Sequence, residues 1–263
     1  MRENILEIKN LSKSYYNDSG TRQIVLEGMN FQIKSDENAG SFVSILAPFG
    51  SGKTTLLKIF AGLENSEGKV CLNGKRITEP TGEIIYIPEQ SSSFPWLNVK
   101  ENIELPSKLY KRGGKKFTFN VNELINLVGL SGYENFYTSS STSGFRLRIA
   151  IARALSFDPK FILLDDVLKN LDGETRSELI ELLRVLTAEK NISFLLATTN
   201  ISDAILLSHK IFLMRKNPGQ ILKEIEITEY SQIHNSEIIT KYKNEIEIEL
   251  KSHGMFHSVL VSP

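Results

Sequence analysis

The chain has 263 residues, 41% of them hydrophobic and 24% charged, which is typical of one compact α/β unit, alone or with a small subdomain. Basic and acidic residues balance at 31 each, so no overall positive field favours nucleic acid, and we expect no nucleic-acid partner. The single cysteine excludes an internal disulfide, and no apolar run approaches the roughly 18 residues that span a bilayer.

The chain begins with a mixture of both charges and no apolar core, so we expect no secretory signal and a cytoplasmic protein. Its first predicted elements are strands at residues 6–9 and 24–34, joined by a turn-rich stretch at 17–21, which indicates an antiparallel sheet. Residues 41–46 form a short β-rich run, and apolar residues at helical spacing follow at 54–63. A glycine-rich loop therefore connects a predicted strand to a predicted helix.

This loop reads A-P-F-G-S-G-K-T-T and matches the P-loop pattern, except that Ala47 stands at its first glycine. Consecutive backbone N–H groups that lead into a helix form an anion nest, and Lys53 adds a charge for the β and γ phosphates. Thr54 is the predicted Mg²⁺ ligand. Alanine is compatible with the loop if its φ is negative. The predicted nucleotide-binding residues are Ala47, Gly50, Ser51, Gly52, Lys53, Thr54 and Thr55.

The alternative interpretation of this loop is a glycine-rich turn with an accidental lysine. The strand before it and the helix after it disfavour that alternative, because both lie where a phosphate loop requires them.

The middle of the chain is predicted to be helical. Apolar residues recur at helical spacing between about 98 and 155, which predicts an inserted helical subdomain. Residues 161–164 and 193–197 are short apolar runs separated by a helical pattern at 175–188, so they are predicted to be buried parallel strands.

These elements together predict an α/β fold: a P-loop NTPase core with a parallel sheet, an N-terminal antiparallel β subdomain and an inserted helical subdomain. We predict a nucleotide-binding domain over 1–230 and a C-terminal tail over 231–263, where charged residues alternate with isoleucine.

The run F-I-L-L-D-D ends in two carboxylates at Asp165 and Asp166. Solvated acids often follow strands, so the pair alone is weak evidence. Together with a phosphate loop it predicts that Asp165 holds Mg²⁺ through water, and that the ligands are ATP and Mg²⁺.

Three motifs in this order resemble the nucleotide-binding domain of ATP-binding cassette (ABC) proteins: the phosphate loop, then S-S-T-S-G-F-R-L-R-I-A-I-A-R-A-L at 140–155, then L-L-D-D. The resemblance covers most of the chain. It is greatest to the ATPases of nitrate, sulfonate and taurine importers, because of F-P-W-L-N-V-K-E-N-I at 94–103 and N-P-G-Q-I at 217–221. It implies that the predicted domain over 1–230 is an ABC nucleotide-binding domain.

The resemblance implies further binding residues. Tyr15 in L-S-K-S-Y matches the aromatic residue that stacks on adenine, although an ordinary strand-end tyrosine is the alternative. Glu89 or Gln90 falls where the family has a glutamine that touches Mg²⁺ and responds to the permease. Counting back from Pro95 and Trp96 favours Glu89, and a shift by one residue restores Gln90, so both stay open.

Two catalytic positions depart from the family pattern. Asp166 stands where the family has a catalytic glutamate, and its carboxylate is about 1.5 Å shorter in reach, a misplacement that can cost on the order of a hundredfold in rate. Thr199 stands where the family has a histidine, and loss of one preorganised donor also costs on the order of a hundredfold. We therefore expect slow hydrolysis.

The signature L-S-G-G-Q/M of the family becomes S-T-S-G-F at 141–145. In the family's head-to-tail dimer this motif acts on the nucleotide held by the partner subunit. Thr142 keeps a hydroxyl and Gly144 keeps a glycine, whereas Ser143 replaces the glycine that lets backbone amides approach phosphate. The resemblance therefore implies weaker closure of the dimer.

The resemblance implies the ATP-binding subunit of an importer, which couples Mg-ATP binding and slow hydrolysis to solute uptake. Its implied partners are an integral-membrane permease docking near 89–99, a second ATP-binding subunit in a homodimer or heterodimer, and indirectly an extracytoplasmic substrate-binding protein. The implied location is peripheral, on the cytoplasmic face of the membrane. The alternative is a nucleotide-gated regulatory or scaffold subunit with little or no hydrolysis.

Overall fold

The computed structural model describes residues 3–36, 40–90, 93–110, 119–190, 192–230 and 235–254. The strands in this part of the chain are β1 (Glu3–Tyr16), β2 (Arg22–Asp36), β3 (Phe42–Leu46), β4 (Glu67–Leu72), β5 (Lys75–Arg76), β6 (Ile84–Ile87), β7 (Phe161–Asp165), β8 (Ser193–Thr198), β9 (Lys210–Arg215) and β10 (Gln220–Glu226). The helices are α1 (Lys53–Phe60), α2 (Val99–Tyr110), α3 (Val121–Leu127), α4 (Ser143–Leu155), α5 (Gly173–Lys190), α6 (Ile201–Leu207) and α7 (Ser236–Ser252), with a 3₁₀ turn at Thr138–Ser140.

The first sheet is antiparallel, in the order β2-β1-β4-β5. Strands β1 and β2 form its long hairpin. The side chain of Asn17 accepts the N–H of Thr21 at 2.8 Å and so closes the connecting turn. Leu6 and Ile8 alternate with more exposed residues and bury one face of the sheet. The predicted N-terminal antiparallel sheet is confirmed.

The second sheet has the order β10-β9-β3-β8-β7-β6, and its strands from β9 to β6 are parallel. Helices cover both faces, which is why β3, β7 and β8 are buried along their whole length. Alternate side chains face different helices: Leu163 packs in the cluster that contains residues of α1, and Ile162 in the cluster that contains residues of α4 and α5. The predicted P-loop core is confirmed.

Helices α2, α3 and α4 contact one another and form the helical part inserted between β6 and β7. Ile103, Ile125 and Leu147, one from each helix, are buried in one cluster. The predicted inserted subdomain is therefore present, and its predicted limits of about 98 and 155, like the boundary at residue 230, stay predictions.

Part of the predicted C-terminal tail is a packed helix. Asn235 caps α7 by accepting the N–H of Glu237 at 2.9 Å. Tyr242, Ile246 and Leu250, spaced four residues apart, are buried in a cluster with residues of α6, β9 and β10. None of the helices among the described residues is both long enough and apolar enough to cross a membrane.

Candidate nucleotide-binding site

The predicted phosphate loop joins the carboxyl end of β3 to α1. Gly50 and Gly52 have φ values of 75° and 92°, which residues other than glycine rarely adopt. A Cβ on Gly52 would lie 2.8 Å from Cγ1 of Val25. Ala47 is outside the left-handed region, and its N–H donates to the carbonyl of Thr198 at 3.1 Å. Alanine at the first loop position is therefore compatible with this backbone.

Lys53 is buried in the loop, with 6% of its side chain exposed. Its ammonium donates to the carbonyl oxygens of Ala47 at 3.0 Å and Pro48 at 3.1 Å. Burial lowers the pKa of Lys53, while the charge of Asp166 opposes that change. Two carbonyls and one more distant carboxylate leave this ammonium with capacity to bind an anion.

Asp165 ends β7 and is also buried, with 3% exposure. Its Oδ2 accepts a hydrogen bond from the hydroxyl of Tyr86 at 2.8 Å. Strands β6 and β7 run parallel, with Tyr86 paired to Leu163, so the tyrosine lies beside the end of β7. Sequence reasoning missed Tyr86; the available signal was one polar group in the apolar run I-I-Y-I, and its meaning depends on the strand pairing.

Asp166 follows Asp165 with a φ of 48°, and its N–H donates to the carbonyl of Ala197 at 2.8 Å. Its Oδ1 accepts the backbone N–H of Thr199 at 3.2 Å, and its Oδ2 lies 3.9 Å from the ammonium of Lys53. Burial raises the pKa of Asp166, although Lys53 and the Thr199 amide act in the opposite direction. The two carboxylate oxygens of Asp166 therefore face the Thr199 amide and the Lys53 ammonium.

Tyr15 lies close to the beginning of α1. Its hydroxyl is 3.4 Å from Oγ1 of Thr55 and donates to Glu64. The ammonium of Lys13 lies 4.9 Å from the ring centroid. With 38% of Tyr15 exposed, the ring offers a partly open aromatic surface next to the phosphate loop.

Glu89 and Gln90 are both exposed just after β6. Oε1 of Glu89 lies 4.0 Å from the ammonium of Lys169, and that ammonium lies 5.7 Å from the ring of Phe49 in the phosphate loop. Lys169 was not predicted from the sequence. These contacts connect Glu89 to the loop, and the choice between Glu89 and Gln90 stays open.

The predicted signature residues lie at the start of α4. Thr142 caps the helix by accepting the N–H of Phe145 at 3.3 Å, and Ser143 is exposed. Gly144 is buried, and its backbone approaches α5 so closely that a Cβ there would lie 2.3 Å from Cγ2 of Thr175. Among the described residues, no hydrogen bond or ion pair joins the three signature residues to the phosphate loop. Ser143 instead lines a cavity of about 500 Å³ with Glu89 and Gln90.

One ion pair connects the segments after β7 and β8, and a local cap lies on each side of it. Asp172 accepts the N–H of Thr175 at 2.9 Å at the start of α5. Arg176 forms a bidentate ion pair with buried Asp203, at 2.8 Å from Nε to Oδ1 and 2.6 Å from Nη2 to Oδ2. Asn200, next to Thr199, caps α6 by accepting the N–H of Asp203 at 3.0 Å. The pair fixes α6 against α5, and sequence reasoning did not identify it.

The residues present fit Mg-ATP. Thr54, Asp165 and Glu89 offer a hydroxyl and two carboxylates, and Mg²⁺ prefers such oxygen ligands. The loop N–H groups and the ammonium of Lys53 suit phosphate oxygens. The hydroxyl of Ser51 is buried and has no hydrogen-bond partner among the described residues, so the loop contains an unsatisfied polar group.

Comparison with known proteins identifies the family. The model of the ABC transporter family matches residues 26–169. The aliphatic sulfonates import ATP-binding protein SsuB of a Bacillus cereus strain is 37% identical over 97% of this chain and 99% of its own length. The taurine import ATP-binding protein TauB of Pelagibacter ubique is 34% identical over 83% of this chain and 82% of its own length.

A solved structure gives the same result for the fold. A dimeric ATP-binding cassette in a post-hydrolysis state, bound to ADP and Pi, matches with a TM-score of 0.70 and 26% identity over 84% of this chain and 98% of its own. The resemblance found in the sequence is therefore confirmed. The chain belongs to the ABC transporter family, and its relatives include the ATP-binding subunits of importers.

Proposed function

We propose that this chain is the ATP-binding subunit of an importer and that it binds Mg-ATP and hydrolyses it slowly. The contacts of Asp166 are the observation that supports slow hydrolysis. Its carboxylate is directed toward Lys53 and the Thr199 amide rather than toward solvent, and only 13% of the side chain is exposed.

Several residues hold the nucleotide in this proposal. Lys53 and the loop amides bind the β and γ phosphates, and the Tyr15 ring stacks on adenine. Thr54 and Asp165 would hold Mg²⁺, with Glu89 as a further ligand if it, and not Gln90, occupies the family's glutamine position. When bound there, Mg²⁺ would supply positive charge to neutralise the phosphates. Phosphoryl transfer requires little covalent chemistry from the protein, so catalysis depends on the position of the attacking water.

Slow hydrolysis follows from two substitutions at the water's position. Asp166 is shorter than glutamate, and its two oxygens already contact other groups of the chain. Thr199 has no imidazole to donate to the γ-phosphate. Each of the two substitutions is expected to lower the rate of hydrolysis on the order of a hundredfold, and the two effects need not add. The alternative of a scaffold without hydrolysis is not favoured, because the relatives are named as import ATP-binding proteins.

We propose the same partners for this chain as for an importer ATPase. A second ATP-binding subunit would form the dimer, as in the dimeric cassette, with Thr142, Ser143 and Gly144 directed to the partner's nucleotide. A membrane permease would dock beside the 500 Å³ cavity that Glu89 and Gln90 line. A substrate-binding protein would act indirectly, and the chain would lie peripherally on the cytoplasmic face.

The proposed solute is a small molecule with a sulfonate group. This proposal depends only on the relatives, which are named for aliphatic sulfonates and taurine. In the proposed assembly the permease and the substrate-binding protein contact the solute, so residues of this chain do not select it.

Single-turnover hydrolysis with protein in excess over ATP tests the proposal. We compare the wild-type chain with Asp166→Glu, Thr199→His and the double variant, after measuring ATP binding by each. The wild-type rate is expected roughly a hundredfold below the median enzyme kcat of about 10 s⁻¹, and the double variant is expected to be faster.

Asp158→Glu is the matched control, because exposed Asp158 has a similar φ of 52° and precedes the beginning of β7, whereas Asp166 follows the end of that strand. This control shows whether glutamate at a positive φ alters the protein through backbone strain alone. A wild-type rate near the median enzyme value would contradict slow hydrolysis, and failure of the wild-type chain to bind ATP would contradict the whole proposal.

A further inference from the structure

A tyrosine from the neighbouring strand binds the carboxylate that ends β7. The hydroxyl of Tyr86 lies 2.8 Å from Oδ2 of Asp165. A carboxylate can only accept, so the tyrosine donates.

The environment of Asp165 makes this donor important. Only 3% of Asp165 is exposed, so water contributes little to its solvation. A hydrogen bond to an ionised acceptor is stronger than one between neutral groups, and its loss would leave a buried charge short of a partner. The bond also fixes the rotation of the carboxylate, because Oδ2 must face the tyrosine.

The ring and the hydroxyl of Tyr86 have separate environments. The ring is partly buried against the cluster that contains Leu56 and Leu163, so it contributes to the core as a phenylalanine would. The hydroxyl reaches beyond that cluster to Asp165. Removal of the oxygen alone therefore tests the hydrogen bond without removing the packing.

We propose that Tyr86 is a positioning residue that holds Asp165 in the orientation needed to bind Mg²⁺. This inference rests on the proposed function, in which Asp165 holds the metal through water. Groups that hydrogen-bond to metal ligands orient them, and their loss typically lowers metal affinity about 10–100-fold.

Metal affinity tests the inference without measurement of turnover. Mn²⁺ replaces Mg²⁺ as a paramagnetic probe, and its dissociation constant is measured by electron paramagnetic resonance with a saturating non-hydrolysable ATP analogue. Tyr86→Phe is expected to weaken Mn²⁺ binding about 10–100-fold. ATP binding in EDTA is expected to stay within about twofold, because the proposed function assigns the phosphates to Lys53 and the loop amides, and adenine to Tyr15.

Two comparisons separate positioning from a general structural effect. Tyr137→Phe removes the hydroxyl of an exposed tyrosine and is expected to leave both affinities unchanged. In an Asp165→Asn background the charged acceptor is absent, so Tyr86→Phe is expected to change Mn²⁺ affinity by less than about twofold. A structural role would instead weaken both backgrounds equally.

The outcomes distinguish this inference from the proposed function. Equal Mn²⁺ affinity of wild type and Tyr86→Phe, with ATP binding intact in both, would overturn the role of Tyr86 alone. Parallel loss of metal affinity and metal-free ATP affinity would overturn it as well. Absence of ATP binding by the wild-type chain would overturn the proposed function on which it rests.

Discussion

The carboxylate of Asp166 lies 3.9 Å from the ammonium of Lys53, and both groups are largely buried. The proposed water-positioning residue and the proposed phosphate-binding residue therefore contact each other within the site. Asp166 also has a φ of 48°, a region that aspartate and asparagine enter more readily than longer side chains. The short acid thus suits the backbone at this position.

Asp166→Asn is expected to lower single-turnover hydrolysis by about a hundredfold or more while ATP binding is retained. Asparagine tolerates the positive φ and can still accept the N–H of Thr199, but it has no charge to act on water. Asp158→Asn, at an exposed position with a φ of 52°, is the control and should leave the rate unchanged. Full activity of Asp166→Asn would exclude a role for this carboxylate.

Gly144→Ala is expected to lower the free energy of unfolding by about 1–3 kcal/mol, because its Cβ would lie 2.3 Å from Cγ2 of Thr175. Urea unfolding measures the change. Thr175→Ser removes Cγ2 and keeps the hydroxyl, so the double variant should regain much of the loss. If Thr175→Ser does not relieve Gly144→Ala, then the contact between α4 and α5 is not the cause.

Stability is expected to fall in mild acid because of His209. Nδ1 of His209 accepts the N–H of Phe42 at 3.1 Å, and the ring lies 3.9 Å from the ring of Tyr230. Burial lowers the pKa of His209 below its ordinary 6.5, and the charge of Arg184 adds to this effect. The unfolded chain therefore takes up the proton first as the pH falls.

This contribution to stability is complete above about pH 6.5 and is lost as the pH falls through the pKa of the folded state. His209→Asn offers an uncharged acceptor at every pH. We expect the difference in free energy of unfolding between wild type and variant to shrink from about pH 7.5 to about pH 5.5 in urea titrations. A difference that stays constant across this range would show that His209 does not titrate as described.

Ile246→Ala in α7 is expected to cost about 2–5 kcal/mol of stability, because Ile246 has no exposed surface and packs in the cluster with α6. Ile248→Ala is the matched control two residues away, at 64% exposure, and should cost less than about 0.5 kcal/mol. Chemical denaturation compares the two variants. Equal small effects would mean that the C-terminal helix does not contribute to the folded core.

Local sequence patterns were sufficient to predict the main elements of the fold. The apolar run at 161–164 lies in the buried strand β7, and the loop before Lys53 connects a strand to a helix, because each signal lies within about ten consecutive residues. The packing of α7 could not be derived, since charges on its exposed face interrupt the apolar spacing and its contact surface is formed by distant elements.

Candidate site residues were predicted from the sequence where a single motif contains them. They were missed where two elements distant in sequence must pack together to form the contact. Lys53 follows directly from the loop sequence. Tyr86 lies 79 positions from Asp165, and the two meet only because β6 and β7 are parallel neighbours in one register. The pair of Arg176 and Asp203 likewise depends on the contact of two helices. A single sequence does not reveal the strand and helix pairings on which such contacts depend.

Isothermal titration of ATP into the wild-type chain and Lys53→Ala, with and without Mg²⁺, tests the central claim most directly. We expect the wild-type chain to bind ATP and Lys53→Ala to bind it at least about tenfold more weakly, since the variant lacks the cation that we propose binds phosphate. Equal binding by the two proteins, or no binding by the wild-type chain, would contradict the assignment of this loop as the nucleotide site.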